Sequence, residues 1–208
     1  GRVTPEAAEA SLADLPYEDL GFAKLDHHRA VRQGFPEVVY GAGKTPAQLR
    51  AVVQALRRRS GRVLVTRAAP SGLRALRAAG LKPRVFPRAR CAAVGGPWPD
   101  ASGSVVIAAA GTADRPVAEE AEVTARLLGA RTVRLDDVGV AGLHRLLAQR
   151  ALLASARCVV AVAGMDGALA SVVGGLVACP VVAVPTSVGY GASFRGVGPL
   201  LNMLTACS

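Results

Sequence analysis

The sequence predicts an α/β protein, with a parallel sheet flanked by helices in a carboxyl-terminal domain and a smaller α/β domain before it. Three observations lead there. Beyond residue 100, short apolar runs alternate with amphipathic segments at the spacing of βαβ units. Hydrophobic residues make up 51% of the chain but aromatics only 4%, so the core is built from Val, Leu and Ala, as buried parallel strands require. The 33 residues from Val159 to Gly191 read strand, turn, helix, strand, loop and carry a single charged group, Asp166. A lone carboxylate in such a segment is costly unless it is used or paired.

In chain order, Ala7 to Leu15 is expected to be a short helix, and Ala23 to Arg29 and Glu37 to Tyr40 strands. Thr45-Pro46-Ala47-Gln48 reads as a capping box with Pro at the first helical position, opening a helix to Arg58. Val63 to Thr66 is a strand, Ser71 to Ala79 a helix and Arg84 to Val94 an extended arm. Pro97 to Gly103 breaks the pattern, which places the domain boundary at residues 100 and 101. Then come strand Ser104 to Ala110, a turn at Gly111 to Asp114, helix Pro116 to Leu128, strand Val133 to Leu135 and a loop from Asp137 to Gly142. Helix Leu143 to Ala156, strand Cys158 to Ala163, helix Gly167 to Val177 and strand Val181 to Val184 complete the right-handed βαβ series.

Several function classes are disfavoured. Gly167 to Pro185 is 19 residues long with only Ser171 plainly polar, long enough to span a bilayer, but Pro180, Gly174, Gly175 and Pro185 interrupt it and the valines around Pro180 favour a strand, so no membrane partner is expected. The net charge of +10 divides into +9 for residues 1–100 and +1 for residues 101–208. Arg57, Arg58 and Arg59 sit at a helix end that suits cations, and no nucleic-acid motif or stacking platform accompanies the charge. Attraction of an anionic small substrate is the better use of it, and no nucleic-acid partner is expected. Gly41-Ala42-Gly43-Lys44-Thr45 resembles the end of a phosphate-binding P-loop, but Val38 stands where the first Gly is required.

Cys91, Cys158, Cys179 and Cys207 follow no CxxC or zinc spacing and read as reduced thiols of a cytoplasmic protein. The chain opens Gly1-Arg2-Val3 without Met or a charged-then-apolar leader, so a native start upstream and no signal peptide are expected.

The chemistry lies in four strings: Gly111-Thr112-Ala113-Asp114-Arg115-Pro116, Asp137-Val138-Gly139-Val140-Ala141-Gly142-Leu143-His144-Arg145, Ala163-Gly164-Met165-Asp166-Gly167 and Pro185-Thr186-Ser187-Val188-Gly189-Tyr190-Gly191. Each falls at the carboxyl end of an expected strand, where open α/β sheets bind ligands. With LDHHR (Leu25 to Arg29) and GFPEVVYGAGKT (Gly34 to Thr45), they resemble the LarB family, the carboxylase/hydrolase (pyridinium-3,5-biscarboxylic acid mononucleotide synthase) of nickel-pincer nucleotide cofactor biosynthesis. That family's carboxyl-terminal domain is similar to the aminoimidazole ribonucleotide carboxylases and mutases of purine synthesis, which implies a flavodoxin-like sheet.

The resemblance implies that nicotinic acid adenine dinucleotide is carboxylated with CO2 on its pyridinium ring and its phosphoanhydride hydrolysed to release AMP. It implies Mg2+, no biotin, and a homo-oligomer, an octamer by likeness to the purine enzymes. Substrate-binding residues are expected among Gly111, Thr112, Ala113, Asp114, Asp137, Gly139, Val140, Ala141, Gly142, Ala163, Gly164, Met165, Gly167, Pro185, Thr186, Ser187, Tyr190 and Gly191. The family's nucleophilic cysteine in Met-Leu-Asn-Ser-Cys corresponds to Cys207 in Met203-Leu204-Thr205-Ala206-Cys207, and the base in Gly-Met-Glu-Gly to Asp166. The family runs on past that cysteine, so this domain is expected to be truncated at its end.

Alternatives stay open at several positions. Asp166 also suits an N-cap, and Asp114 a helix cap or a metal neighbour; the metal ligands are unknown. Cys91, Cys158 and Cys179 read as packing residues, and His27, His28 and His144 as solvated or structural. An imidazole ribonucleotide carboxylase or mutase is disfavoured because the second loop lacks the histidine of the Ser-Ala-His-Arg turn. A non-catalytic nucleotide-binding module is the remaining alternative.

Overall fold

The computed structural model describes residues 3–13 and 17–208, so the expected helix end at Leu15 lies outside the described residues. The chain forms two compact units, Gly1–Pro97 and Trp98–Ser208.

The first unit runs α1 (Pro5–Ala13), β1 (Glu18–Asp19), β2 (Lys24–Leu25), α2 (Arg29–Gln33), β3 (Val39–Tyr40), α3 (Pro46–Ser60), β4 (Arg62–Thr66), α4 (Pro70–Ala78), β5 (Arg84–Phe86) and β6 (Cys91–Gly95). Its mixed sheet has the order β3-β4-β6-β5, with only β3 and β4 parallel. The capping box forms: Thr45 Oγ1 accepts the Gln48 N–H at 3.2 Å and Gln48 Oε1 accepts the Thr45 N–H at 3.0 Å. One face of α3 buries Leu49, Val52, Val53 and Leu56 with Leu76 of α4 against Val63, Val65, Ala92 and Val94 of the sheet. Gly72 lets α4 approach, since a Cβ there would meet Leu49 Cδ2 at 2.5 Å.

Three expectations for this unit are corrected. The strand Ala23 to Arg29 shrinks to Lys24–Leu25 because the Asp26 N–H turns away to Glu37 Oε2 at 2.8 Å and Arg29 opens a helix. The strand Glu37 to Tyr40 shortens to Val39–Tyr40, the stretch that pairs with β4. The extended arm Arg84 to Val94 is a hairpin, reversed where Arg90 takes φ +54° and donates its N–H to the Pro87 carbonyl.

The second unit runs β7 (Ser102–Ala109), α5 (Arg115–Leu127), β8 (Ala130–Leu135), α6 (Leu143–Leu147), α7 (Arg150–Ala154), β9 (Cys158–Ala163), α8 (Ala168–Leu176), β10 (Val181–Pro185) and α9 (Val197–Leu204). All four strands are parallel, in the order β10-β9-β7-β8. Both sheet faces are covered. Val106, Ala108, Val159 and Ala161 pack with Leu146, Leu153, Leu169 and Val173 on the side of α6 to α8, and Ile107, Ala109 and Val162 pack with Ala118 of α5 on the other. Alternation along β7 thus sends apolar side chains both ways, which explains the unbroken apolar run in its sequence.

The expected helix Leu143 to Ala156 is broken: the Gln149 N–H bonds to Leu146 and α7 begins afresh, with Leu146 and Leu153 both fully buried. Gly167 to Pro185 resolves into a nine-residue helix, a turn and an edge strand, and among the described residues no helix is long and apolar enough to cross a membrane.

Candidate functional site

The loops that follow β7, β8, β9 and β10 surround a cavity of about 650 Å3 at the carboxyl ends of the strands. Parallel topology puts all four strand ends on one edge, so segments 80 residues apart meet there. Four charged side chains are among its lining: Asp114, Asp137, Asp166 and Arg145.

Asp114 is the most buried of them and is spent on structure. Its Oδ2 accepts the Gly111 N–H at 3.0 Å, and its Oδ1 accepts the Thr186 hydroxyl at 2.7 Å. Both residues are about 95% buried, so the bond ties the loop after β7 to the loop after β10. The Gly111 amide, the first an anion would meet at this turn, is therefore occupied by the protein's own carboxylate. Thr112 and Ala113 stand exposed at the head of the following helix, where backbone amides lack intrahelical acceptors.

Asp137 takes φ +61°, and its carboxylate holds Arg145 Nη1 at 2.5 Å. Arg145 folds back over the loop because Gly142 leaves room: a Cβ there would meet Arg145 Nε at 2.5 Å. The opposite wall is the turn after β9. Gly164 nests against the Val188 carbonyl, with space for no side chain, and Met165 follows at φ +51° with its N–H on that same carbonyl at 3.2 Å. Asp166 Oδ1 accepts the Ala168 N–H at 3.1 Å, and the Asp166 carbonyl accepts Asn202 Nδ2 at 2.7 Å. Gly167, not Asp166, is the N-cap residue of α8; Asp166 precedes it and takes up the first amide of the helix with one oxygen, while its side chain stays exposed on the cavity wall.

Of the residues singled out from sequence, Gly111, Thr112, Ala113, Asp114, Asp137, Gly139, Val140, Ala141, Ala163, Gly164, Met165, Asp166 and Tyr190 line this cavity. Gly142, Gly167, Pro185, Thr186, Ser187 and Gly191 do not; Gly142 and Thr186 support it from behind, and Gly167 packs on Pro199. Ala110, Arg145, Leu169, Val188 and Gly189 line it without having been singled out. Arg145 closes the second string, but nothing in that string separates it from an ordinary helix cation.

Cys207 is exposed and is not among the lining residues. Its neighbour Ser208 donates its hydroxyl to the Ser171 carbonyl on α8 at 3.0 Å, which sets the end of the chain alongside that helix. The other thiols are more enclosed. Cys91 is buried with Sγ 3.3 Å from the Ala89 carbonyl, and burial, reinforced by neighbouring Cys179, pushes the Cys158 thiol up from its ordinary value. His27 pairs with Glu18 at 2.9 Å in the first unit, and His144 is exposed on α6. Among the described residues no three His, Cys, Asp or Glu gather as metal ligands.

Comparison with known proteins bears on both units. Residues 17–95 match the model of the LarB/PurE-like N-terminal domain. Across 194 residues the chain is 36% identical to an uncharacterized protein of Methanocaldococcus jannaschii, covering 89% of this chain and 75% of that protein. The chain belongs to the LarB/PurE-like family. In this LarB/PurE-like protein the domain match covers the mixed-sheet unit, whereas the 650 Å3 cavity belongs to the parallel-sheet unit.

Proposed function

We propose that this protein is a LarB-type carboxylase/hydrolase acting on nicotinic acid adenine dinucleotide, and that the four-loop cavity is where the pyridine nucleotide binds. The observation that carries the reading is the cavity itself, set at the carboxyl ends of four parallel strands in a LarB/PurE-like chain. Its volume suits a nucleotide, since small-molecule sites span about 300–1,000 Å3. Arg145 is the one cation among its lining residues and is the natural partner of a substrate carboxylate or phosphate.

In this reading a thiolate adds to a carbon of the electron-poor pyridinium, and the resulting dihydropyridine has a nucleophilic enamine carbon that bonds to CO2. The ring proton at that carbon passes to the Asp166 carboxylate, the thiolate leaves with its electron pair, and aromaticity returns. Water cleaves the phosphoanhydride, giving pyridinium-3,5-biscarboxylate mononucleotide and AMP. Cys207 as the nucleophile rests on the family resemblance. Cys207 is exposed and lies outside the lining of the cavity, so in this reading the thiol approaches the ring from beyond that lining.

Among the described residues no protein cage for Mg2+ exists, and Asp137 and Asp166 of the cavity lining are the carboxylates that would hold the ion together with the substrate's diphosphate. When bound it would supply charge neutralisation at the phosphoanhydride. Self-association belongs to the same proposal: Leu201 and Leu204 of α9 and Val182 of edge strand β10 are 58%, 73% and 50% exposed. The deciding experiment is incubation with the dinucleotide, bicarbonate and Mg2+ followed by mass spectrometry; a dicarboxylated mononucleotide together with AMP is expected, and recovery of unchanged dinucleotide overturns the reading.

One observation favours a second reading. One Asp166 oxygen already accepts the Ala168 N–H and Cys207 lies outside the cavity lining, as suits a module that binds a nucleotide without converting it. Binding of the dinucleotide without any turnover, with Cys207 unreactive towards it, would select that reading.

A further inference from the structure

A second cavity, about 440 Å3, adjoins the first and shares Met165, Asp166 and Tyr190 with it. Each cavity falls within the range of about 300–1,000 Å3 usual for a bound small molecule. Their chemistry differs. The larger contains Arg145 and the exposed helix head at Thr112 and Ala113, whereas the smaller has no charged side chain besides Asp166 of the shared wall. The smaller one therefore suits an uncharged polar group rather than a phosphate or carboxylate.

Asn202 defines what that group is. The Asp166 carbonyl can only accept, so the atom 2.7 Å from it is the amide nitrogen of Asn202, which leaves Oδ1 and a second N–H unspent by that bond. A paired amide acceptor and donor is the side-chain edge that matches the exocyclic amine and neighbouring ring nitrogen of adenine. Tyr190, 82% exposed on the shared wall, offers a ring on which a base can stack. Ser193 adds a hydroxyl, and Ala192 and Gly198 keep the cavity open by their small size.

We infer that the two cavities are successive subsites for the two halves of one dinucleotide, with the pyridine mononucleotide in the larger and the adenosine in the one lined by Asn202 and Ser193. This rests on the carboxylase/hydrolase reading and adds the position of the leaving nucleotide. Asp166, on the shared wall, stands next to both halves.

The test compares calorimetric affinities for nicotinic acid adenine dinucleotide and for nicotinic acid mononucleotide in wild type, Ala192→Leu and Asn202→Ala. Ala192 is exposed, so its enlargement fills the cavity without disturbing a core. In each variant the ratio of dinucleotide to mononucleotide affinity is expected to fall by about tenfold or more, the effect of about 1.4 kcal/mol. An unchanged ratio overturns the subsite. So does a shift in sedimenting mass of Ala192→Leu with unchanged dinucleotide affinity, which would make the cavity a contact between copies. Failure of the wild-type chain to bind the dinucleotide would instead overturn the carboxylase/hydrolase reading, and the subsite with it.

Discussion

Asp114 and Thr186, 72 residues apart, share a buried 2.7 Å hydrogen bond that joins the first and last strand-end loops of the parallel sheet. Thr186→Val leaves the Asp114 carboxylate with the Gly111 amide alone, and an unsatisfied buried acceptor costs about 1–3 kcal/mol. A lower denaturation midpoint is expected for Thr186→Val, largely recovered in Thr186→Ser, which keeps the hydroxyl. Equal midpoints for Val and Ser would show that the bond contributes nothing.

Two glycines in neighbouring segments should respond in opposite directions. A Cβ on Gly164 would run into the Val188 carbonyl and lie 2.8 Å from Thr186 Oγ1, so Gly164→Ala must displace the cavity wall, at about 1–3 kcal/mol. Gly175, near the end of α8, has nothing within 4 Å of its Cβ position, and Gly175→Ala is expected to stabilise by about 0.5–1 kcal/mol. Thermal unfolding of the pair reads both signs, and loss of dinucleotide binding should accompany only the first.

The parallel sheet was legible because strand and helix periods alternate cleanly after residue 100, and parallel strands place their carboxyl-end loops together by topology alone. What local pattern could not show is how side chains fold back. Arg145 reads as an ordinary helix cation until Gly142 allows it to lie over its own loop onto Asp137. The break at Gln149 carries neither Pro nor Gly, and the second cavity draws Ser193 and Asn202 from a segment without a motif. In the first unit, the Asp26 N–H ends the expected strand Ala23 to Arg29 early by bonding to the Glu37 carboxylate, a contact that no period reveals.

Arg145→Ala separates binding from stability. The ion pair with Asp137 is exposed, and such pairs contribute about 0.2–1 kcal/mol to folding, so the midpoint should scarcely move. Affinity for the dinucleotide should fall about tenfold or more, since a charge-assisted bond to an anion is lost with the one cation of the lining. Arg145→Lys should recover only part of it, because an ammonium lacks the planar fork. Unchanged affinity in Arg145→Ala would exclude the residue from recognition.

The first unit carries an acid-sensitive lock. The Arg32 guanidinium, hydrogen-bonded to Asp26 at 2.6 and 3.1 Å, holds that carboxyl below its ordinary value, with the Arg29 charge and the His28 backbone N–H acting in the same sense. A depressed carboxylate stabilises the fold above its unfolded value, about 3.9, and that contribution disappears as the pH falls through the lower folded value. Wild type should therefore exceed Asp26→Asn in denaturation midpoint at pH 6, with the gap narrowing as the pH drops below about 4. A gap that stays constant to pH 2 would show that the pair is not the source.

Asp166 and Cys207 are proposed to act in turn on one pyridine ring, and their variants test that sequence. Asp166→Asn keeps an oxygen able to accept the Ala168 N–H, so that contact with α8 survives while the base is lost. Dinucleotide binding should persist, product formation should stall at proton removal, and the thiol adduct should accumulate as a mass equal to chain plus dinucleotide, with or without the added CO2. Cys207→Ser should abolish both adduct and product, because an alcohol near its normal pKa is a poor nucleophile and leaving group at neutral pH. The double variant should be no slower than Cys207→Ser alone, since both groups serve one reaction coordinate. Full carboxylation by Cys207→Ser would overturn the covalent route, and full product formation by Asp166→Asn would leave Asp166 as the acceptor of the first α8 amide and nothing more.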